Sequence, residues 1–313
     1  MAEADSGAVA RRDATNGDDL GALLAWDCDL VVPDAEYARM AAHPALTESL
    51  YRLSASNLAA TEADTTLMGI FKDGGRYACA MWAIYLHARD GLSLQSLKTL
   101  CAESGLLSPG RARAVLLYMR YLGFIEPSRV RTSPATFVPT PRCRAAWTTH
   151  MRLALDATCA IEPAAAAVIA RIDDPAVFAC IVRTQGESLF NGARRHDLDT
   201  PLFKVFLNRH AGTLILSSLL LAGERSDYPP AVVTPPTAGD LGQRFQVSRI
   251  QVRRILTEAV NQGLMRPDAL GGYALSDAFR AELRYAHAQQ IRHLMLSVAR
   301  ATRLLLATTV EQI

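Results

Sequence analysis

Two stretches of the chain, 140 residues apart, set arginines beside a serine. The first holds Ser108, Arg111 and Arg113; the second holds Ser248, Arg249, Gln251, Arg253 and Arg254. In each, apolar residues recur at i, i+3, i+4 and i+7: Ala112, Val115, Leu116 and Met119, then Val252, Ile255, Leu256 and Ala259. That spacing makes one buried stripe of a helix and leaves the polar residues pointing outward near its N-terminus. Arginine can span both acceptors of a guanine edge, glutamine matches adenine, and a serine at a helix N-terminus suits a phosphate. Arg129 and Arg131 follow the first stretch in a loop suited to a phosphate backbone or a minor groove. A lone arginine on a helix surface is usually just solvated. Recurrence at matching sites is what points to phosphate chemistry.

The elements that would position these residues also recur. Laid without gaps on Ser248 to Pro267, the stretch Ser108 to Pro127 keeps five identities: Ser108/Ser248, Arg113/Arg253, Leu116/Leu256, Gly123/Gly263 and Pro127/Pro267. Five more pairs stay apolar, whereas average residue usage gives roughly one identity by accident. The match extends outward, with Glu48 to Tyr51 answering Glu187 to Phe190 at 139, and Phe137 to Thr140 answering Tyr273 to Ser276 at 136. The first copy therefore carries four extra residues between Pro127 and Phe137. A Pro-rich run from Tyr228 to Pro236 reads as a lengthened loop in the second. The organisation expected is two homologous units, 31–170 and 171–313, behind an acidic tail, 1–30, expected to be disordered.

Each unit reads as mainly helical with a small β-hairpin. Ala78, Met81, Trp82 and Tyr85 line one helix face, and a short helix follows around Ser96 to Glu103. Ser108 then caps a helix with Pro109 at its first position, Gly123 ends it, and Phe124-Ile125 begins a strand. In the second unit Thr237 and Asp240 open a helix carrying Leu241 and Phe245, and Ser248 caps the next. Helix, turn, capped helix, glycine, strand, loop, strand is the winged helix-turn-helix order.

Over about 75 residues of each unit, from Leu100 to Phe124 and from Asp240-Leu241 through Val247-Ser248 to Gly263-Leu264, the sequence resembles the MarR-like winged-helix transcription regulators. The resemblance implies recognition helices near 108–122 and 248–262 lying in DNA major grooves. It implies long flanking helices, here Pro141 to Ile161 and Ser276 to Thr308, that build a two-fold interface. Such regulators are usually single units that dimerise. This chain reads as an intramolecular pseudo-dimer, for which a further homodimer is possible but not required. The family's small aromatic effectors imply a ligand pocket, with Trp82, Trp147 and Phe190 as lining residues. The partners expected are double-stranded DNA and a small-molecule effector. Competing readings are a tandem winged-helix scaffold without DNA binding, favoured by the acid-bearing second wing loop Asp268 to Gly272, and a plasmid replication initiator.

Composition narrows the rest. The chain has 313 residues and a formal net charge of +2. Residues 1–30 hold seven acids against Arg11 and Arg12, so the remainder carries 31 basic and 24 acidic residues and is mildly basic. The longest apolar stretch without a titratable side chain, Ala211 to Gly223, has 13 residues, short of the roughly 20 a membrane helix needs. No basic-then-apolar signal segment opens the chain, and the six scattered cysteines form no CxxC pair, so a reducing cytoplasm is expected. The seven histidines show no metal spacing. With no phosphate-binding glycine loop, GxSxG or HExxH, neither an enzyme nor a cofactor is expected.

Overall fold

The computed structural model describes residues 34–130, 134–195, 200–269 and 271–310. The acidic tail, 1–30, and Arg131 lie outside them. The described chain is mainly helical, with two small antiparallel three-stranded sheets. Its first half runs α1 (Asp34–Ala41), α2 (Leu46–Ala63), α3 (Thr65–Phe71), α4 (Gly74–Arg89), β1 (Leu92–Ser93), α5 (Leu94–Ser104), α6 (Pro109–Tyr121), β2 (Ile125–Pro127), β3 (Thr136–Pro139) and α7 (Pro141–Asp156). A 3-10 turn, Ala157–Ala160, continues α7, so the helix expected to reach Ile161 is α-helical only to Asp156. Then come α8 (Ala165–Ala170), α9 (Pro175–Arg195), a π-helical turn (Phe203–Leu207), α10 (Gly212–Leu221), a 3-10 turn (Arg225–Asp227) and β4 (Val232–Val233). The chain ends in α11 (Ala238–Arg244), α12 (Arg249–Asn261), β5 (Met265–Pro267), β6 (Tyr273–Leu275) and α13 (Asp277–Val310).

The serines and glycines do what their chemistry dictates. Ser108 Oγ accepts the Arg111 amide at 3.3 Å and Ser248 Oγ the Gln251 amide at 3.1 Å, each satisfying a donor at the start of α6 or α12. At the far ends Gly123 and Gly263 both take φ +69°, a conformation costly for any residue with a Cβ. There the amides of Phe124 and Leu264 reach back to the carbonyls of Met119 and Ala259 at 2.9 and 3.0 Å, closing the helices and aiming the chain into β2 and β5.

The hairpins expected from sequence each gain a third strand, giving orders β1-β3-β2 and β4-β6-β5. Leu92 pairs with Phe137 and Val232 with Ala274. The Pro-rich run is thus more than a loop, since it supplies β4. Pro127 pairs with Phe137 and Pro267 with Tyr273, so the four extra residues of the first copy fall in the β2–β3 loop. Phe245 is buried, but at the C-cap of α11 rather than within the helix.

One hydrophobic cluster runs through the chain on both sides of residue 170. Its make-up follows from which helices cross. α9 packs on α4 and α13, while α2 packs on α7 and α10. The contacts of α9 with α4 and of α2 with α10 each join the two halves. At the first crossing the Trp82 indole donates to the Gly186 carbonyl at 3.1 Å. At the second, the Tyr228 hydroxyl donates to Ser54 Oγ, and Tyr228 meets Tyr51 edge-on at 5.8 Å. Arg225 pairs with Glu48 and Arg244 with Glu62 near the same crossing. Such exposed pairs contribute about 0–1 kcal/mol each, so the buried apolar surface supplies most of the cohesion.

Candidate nucleic-acid interface

On α12, Val252, Ile255, Leu256 and Ala259 are buried as the spacing predicts. Their burial fixes the rotation of the helix. Arg249, Arg253 and Arg254 stand exposed, and none of the three makes a hydrogen bond or ion pair among the described residues. Gln251 is half-buried and Ile250 exposed. The capping Ser248 is exposed too, so the amides of the first turn and the three guanidiniums open on solvent together. Arginines that make no ion pair form a surface ready to neutralise phosphates, and the positive end of the helix dipole adds to it.

Sequence reasoning missed one further exposed arginine of the second half. Arg266 lies on β5, exposed and without a partner among the described residues, between buried Met265 and exposed Pro267. Its place next to buried Met265 on a strand is the signal that marks it, and the first half has Glu126 at the same register. The second wing loop lacks a cation, but the strand leading into it does not.

The equivalent helix α6 is different. Ala112, Val115, Leu116 and Met119 are buried, Ser108 and Arg113 exposed. Arg111 is turned toward Asp73, its Nη2 3.5 Å from Oδ1. Asp73 is nearly buried, caps α4 by accepting the Arg76 amide at 2.8 Å, and lies 3.3 Å from Arg76 Nε. Arg111 thus fastens the start of α6 to the start of α4. Past the first turn, Ala114, Leu117 and Tyr121 face solvent, the last two 50% and 85% exposed, with Arg113 and Arg120 beside them. Arg129, at the β2–β3 loop, is exposed.

The three aromatic residues expected to line a ligand pocket do not meet in one cavity. A cleft of about 370 Å³ opens between α4, α5 and α9, lined by Tyr85, Arg89, Thr99, Glu103, Glu187 and Phe190. Phe190 faces it, while Trp82 packs edge-on behind Phe190 at 6.3 Å and is fully buried. Trp147 belongs to another cluster, stacked on Phe71 at 6.0 Å and Tyr77 at 6.2 Å beside His150. Both indoles are core residues because they sit where helices pack, Trp82 against α9 and Trp147 between α3, α4 and α7. Burial drives the pKa of His150 down to about 3, and its Nε2 shares a hydrogen bond with the Tyr77 hydroxyl at 3.3 Å.

Cys79, Cys101, Cys143, Cys159 and Cys180 are free thiols. Among the described residues no three His, Cys, Asp or Glu side chains gather as a metal-holding group, and no helix is long and apolar enough to cross a membrane. The chain matches no protein-family model, and neither the curated proteins nor the solved structures hold one similar to it.

Proposed function

We propose that the chain is a sequence-specific DNA-binding transcription regulator, a tandem duplication of a MarR-like winged helix-turn-helix unit folded as an intramolecular pseudo-dimer. The observation that carries this reading is the outward set Arg249, Arg253 and Arg254 on α12, free of protein partners among the described residues and backed by Arg266. Supporting it, the same order of paired helices and three-stranded sheet occurs twice, with matching caps and matching glycine stops. α12 enters a major groove with its N-terminal half, Gln251 and Arg253 toward base edges and Arg249 and Arg254 toward phosphates. α6 follows the other half-site with Arg113, and Arg129 reaches the backbone from the wing. The two reading surfaces differ, so the preferred site has unequal halves. The cleft beside Phe190 is the place for a small effector, since it lies between the first reading lobe and α9.

The test is binding to random-sequence duplex at low salt, followed by salt titration. The expected log K against log salt slope is several units, and Arg253→Ala with Arg254→Ala flattens it by about one unit for each phosphate no longer neutralised. Absence of binding at low salt overturns the proposal. It would promote a second reading, a tandem winged-helix scaffold, which the exposed apolar face of α6 favours.

A further inference from the structure

Three of the six large apolar side chains most exposed among the described residues, Leu117, Tyr121 and Val130 (50%, 85% and 70%), lie on α6 and the β2–β3 loop. Arg113, Arg120 and Arg129 are exposed on the same helix and loop, without partners among the described residues. The corresponding residues of α12 are Arg254, Thr257 and Asn261 where α6 has Ala114, Leu117 and Tyr121. The same structural position is thus polar in one copy and apolar in the other. Leucine and tyrosine gain little from phosphates, and Leu117 and Tyr121, one turn apart on α6 with Arg113 and Arg120 on the same helix, fit an acidic segment with apolar residues of its own.

The chain contains such a segment. Residues 18–30 hold Asp18, Asp19, Asp27 and Asp29, no cation, and Leu20, Leu23, Leu24 and Trp26. Leu20, Leu23 and Leu24 are spaced i, i+3, i+4, the pattern with which an amphipathic peptide presents one face to an apolar groove. We infer that this segment docks on the outward face of α6, its leucines and Trp26 on Leu117, Tyr121 and Val130 and its aspartates toward Arg113, Arg120 and Arg129. The docked segment competes with duplex for Arg113 and Arg129, so the first lobe reaches its half-site only when the segment is released, while α12 stays open. Docking there does not depend on what α12 binds.

Cys28 provides the test in the full-length chain. Leu117→Cys places a thiol on α6, and Thr257→Cys places one at the same position of α12 as a control. Mild oxidation with oxidised glutathione, followed by peptide mass spectrometry, is expected to join Cys28 to position 117 at least fivefold more than to position 257. A monomeric product means the segment of the same chain, and a dimeric product that of a second copy; both support docking. Equal yields at the two positions, or position 117 joining only its own counterpart in a second copy, overturn it. Independently, acrylamide quenching of Trp26, taken as the difference from Trp26→Phe, should rise at least twofold in the Leu117→Asp, Tyr121→Asp variant. Unchanged quenching, with duplex binding weakened instead, would assign the face to DNA alone and overturn the inference.

Discussion

His150 shows how a single buried group sets a pH response. Its imidazole is held neutral in the fold, with a pKa near 3, whereas in the unfolded chain it titrates at its ordinary value near 6.5. Below about pH 6.5 the unfolded state takes up a proton that the folded state refuses, so stability is complete above that pH and falls toward pH 3. Half-buried His287 is shifted the same way by the same cause. Between pH 6.5 and 5, before carboxylates protonate, His150 contributes a slope of up to about 1.4 kcal/mol per pH unit. His150→Phe should remove its share of that slope in urea titrations while costing about 1–3 kcal/mol at pH 7, because the half-buried Tyr77 loses the partner of its hydroxyl. An unchanged slope would mean that the ring titrates in the fold. Asp73 makes a second residue-scale case, since one carboxylate both caps α4 and holds Arg111. Asp73→Ala should cost about 0.5–2 kcal/mol in thermal melts and leave Arg111 free. If Arg111 then joins the basic surface, binding of duplex at low salt tightens even as the fold weakens.

The crossing of α9 on α4 depends on one absent side chain. A Cβ built on Gly186 would lie 2.5 Å from Tyr85 Cγ and 2.6 Å from its Cβ, atoms that cannot swing away as a side-chain tip could. Gly186→Ala should therefore push the helices apart, strain the Trp82 hydrogen bond and cost about 1–3 kcal/mol, read by denaturation and by a shift in Trp82 emission. Gly110, in the first turn of α6, has only Ser108 Oγ near, at 4.0 Å. Gly110→Ala should be neutral or stabilising by up to about 1 kcal/mol. The contrast also explains what could be read from the sequence. Ser108, Ser248, Gly123, Gly263 and the buried stripes of α6 and α12 were legible because caps, stops and 3.6-residue periodicity are local properties. β1 and β4 were not, because two-residue strands carry no period and form only when a hairpin edge lies within reach. Arg111 is exposed as expected, but its pairing with Asp73, 38 residues earlier in the chain, was not legible for a similar reason, since no local pattern joins them. Trp147 and Trp82 could be named as buried aromatics but not sorted into separate clusters, since that depends on which helices cross.

The scale of the whole molecule changes how the two halves relate. A half of about 140 residues is long enough to fold alone, and the sequence offers each half apolar residues of its own. The structure distributes those residues differently. α9, from the second half, covers α4 of the first, and α2, from the first half, covers α10 of the second, while α1 lies against α13 at the far end of the chain. Arg292, 1% exposed, pairs with Glu36 across that last contact, and Gln185 on α9 donates to the His293 carbonyl and Ser297 Oγ on α13. Cutting near residue 170 would expose Trp82, Tyr85 and Leu50 on one piece and Leu216, Leu219 and Phe178 on the other, apolar surface worth about 1.5–3 kcal/mol for each large side chain. A domain's net stability is only about 5–15 kcal/mol, so exposing a few such side chains removes most of it. The full chain should therefore unfold in a single transition by heat or urea. Residues 34–170 and 171–313 produced separately should give broad, non-cooperative melts, and co-expression should return a 1:1 complex that melts sharply. Two separate transitions in the intact chain, or a cooperative melt from either half alone, would show that the crossings are a late docking of finished domains rather than part of each core.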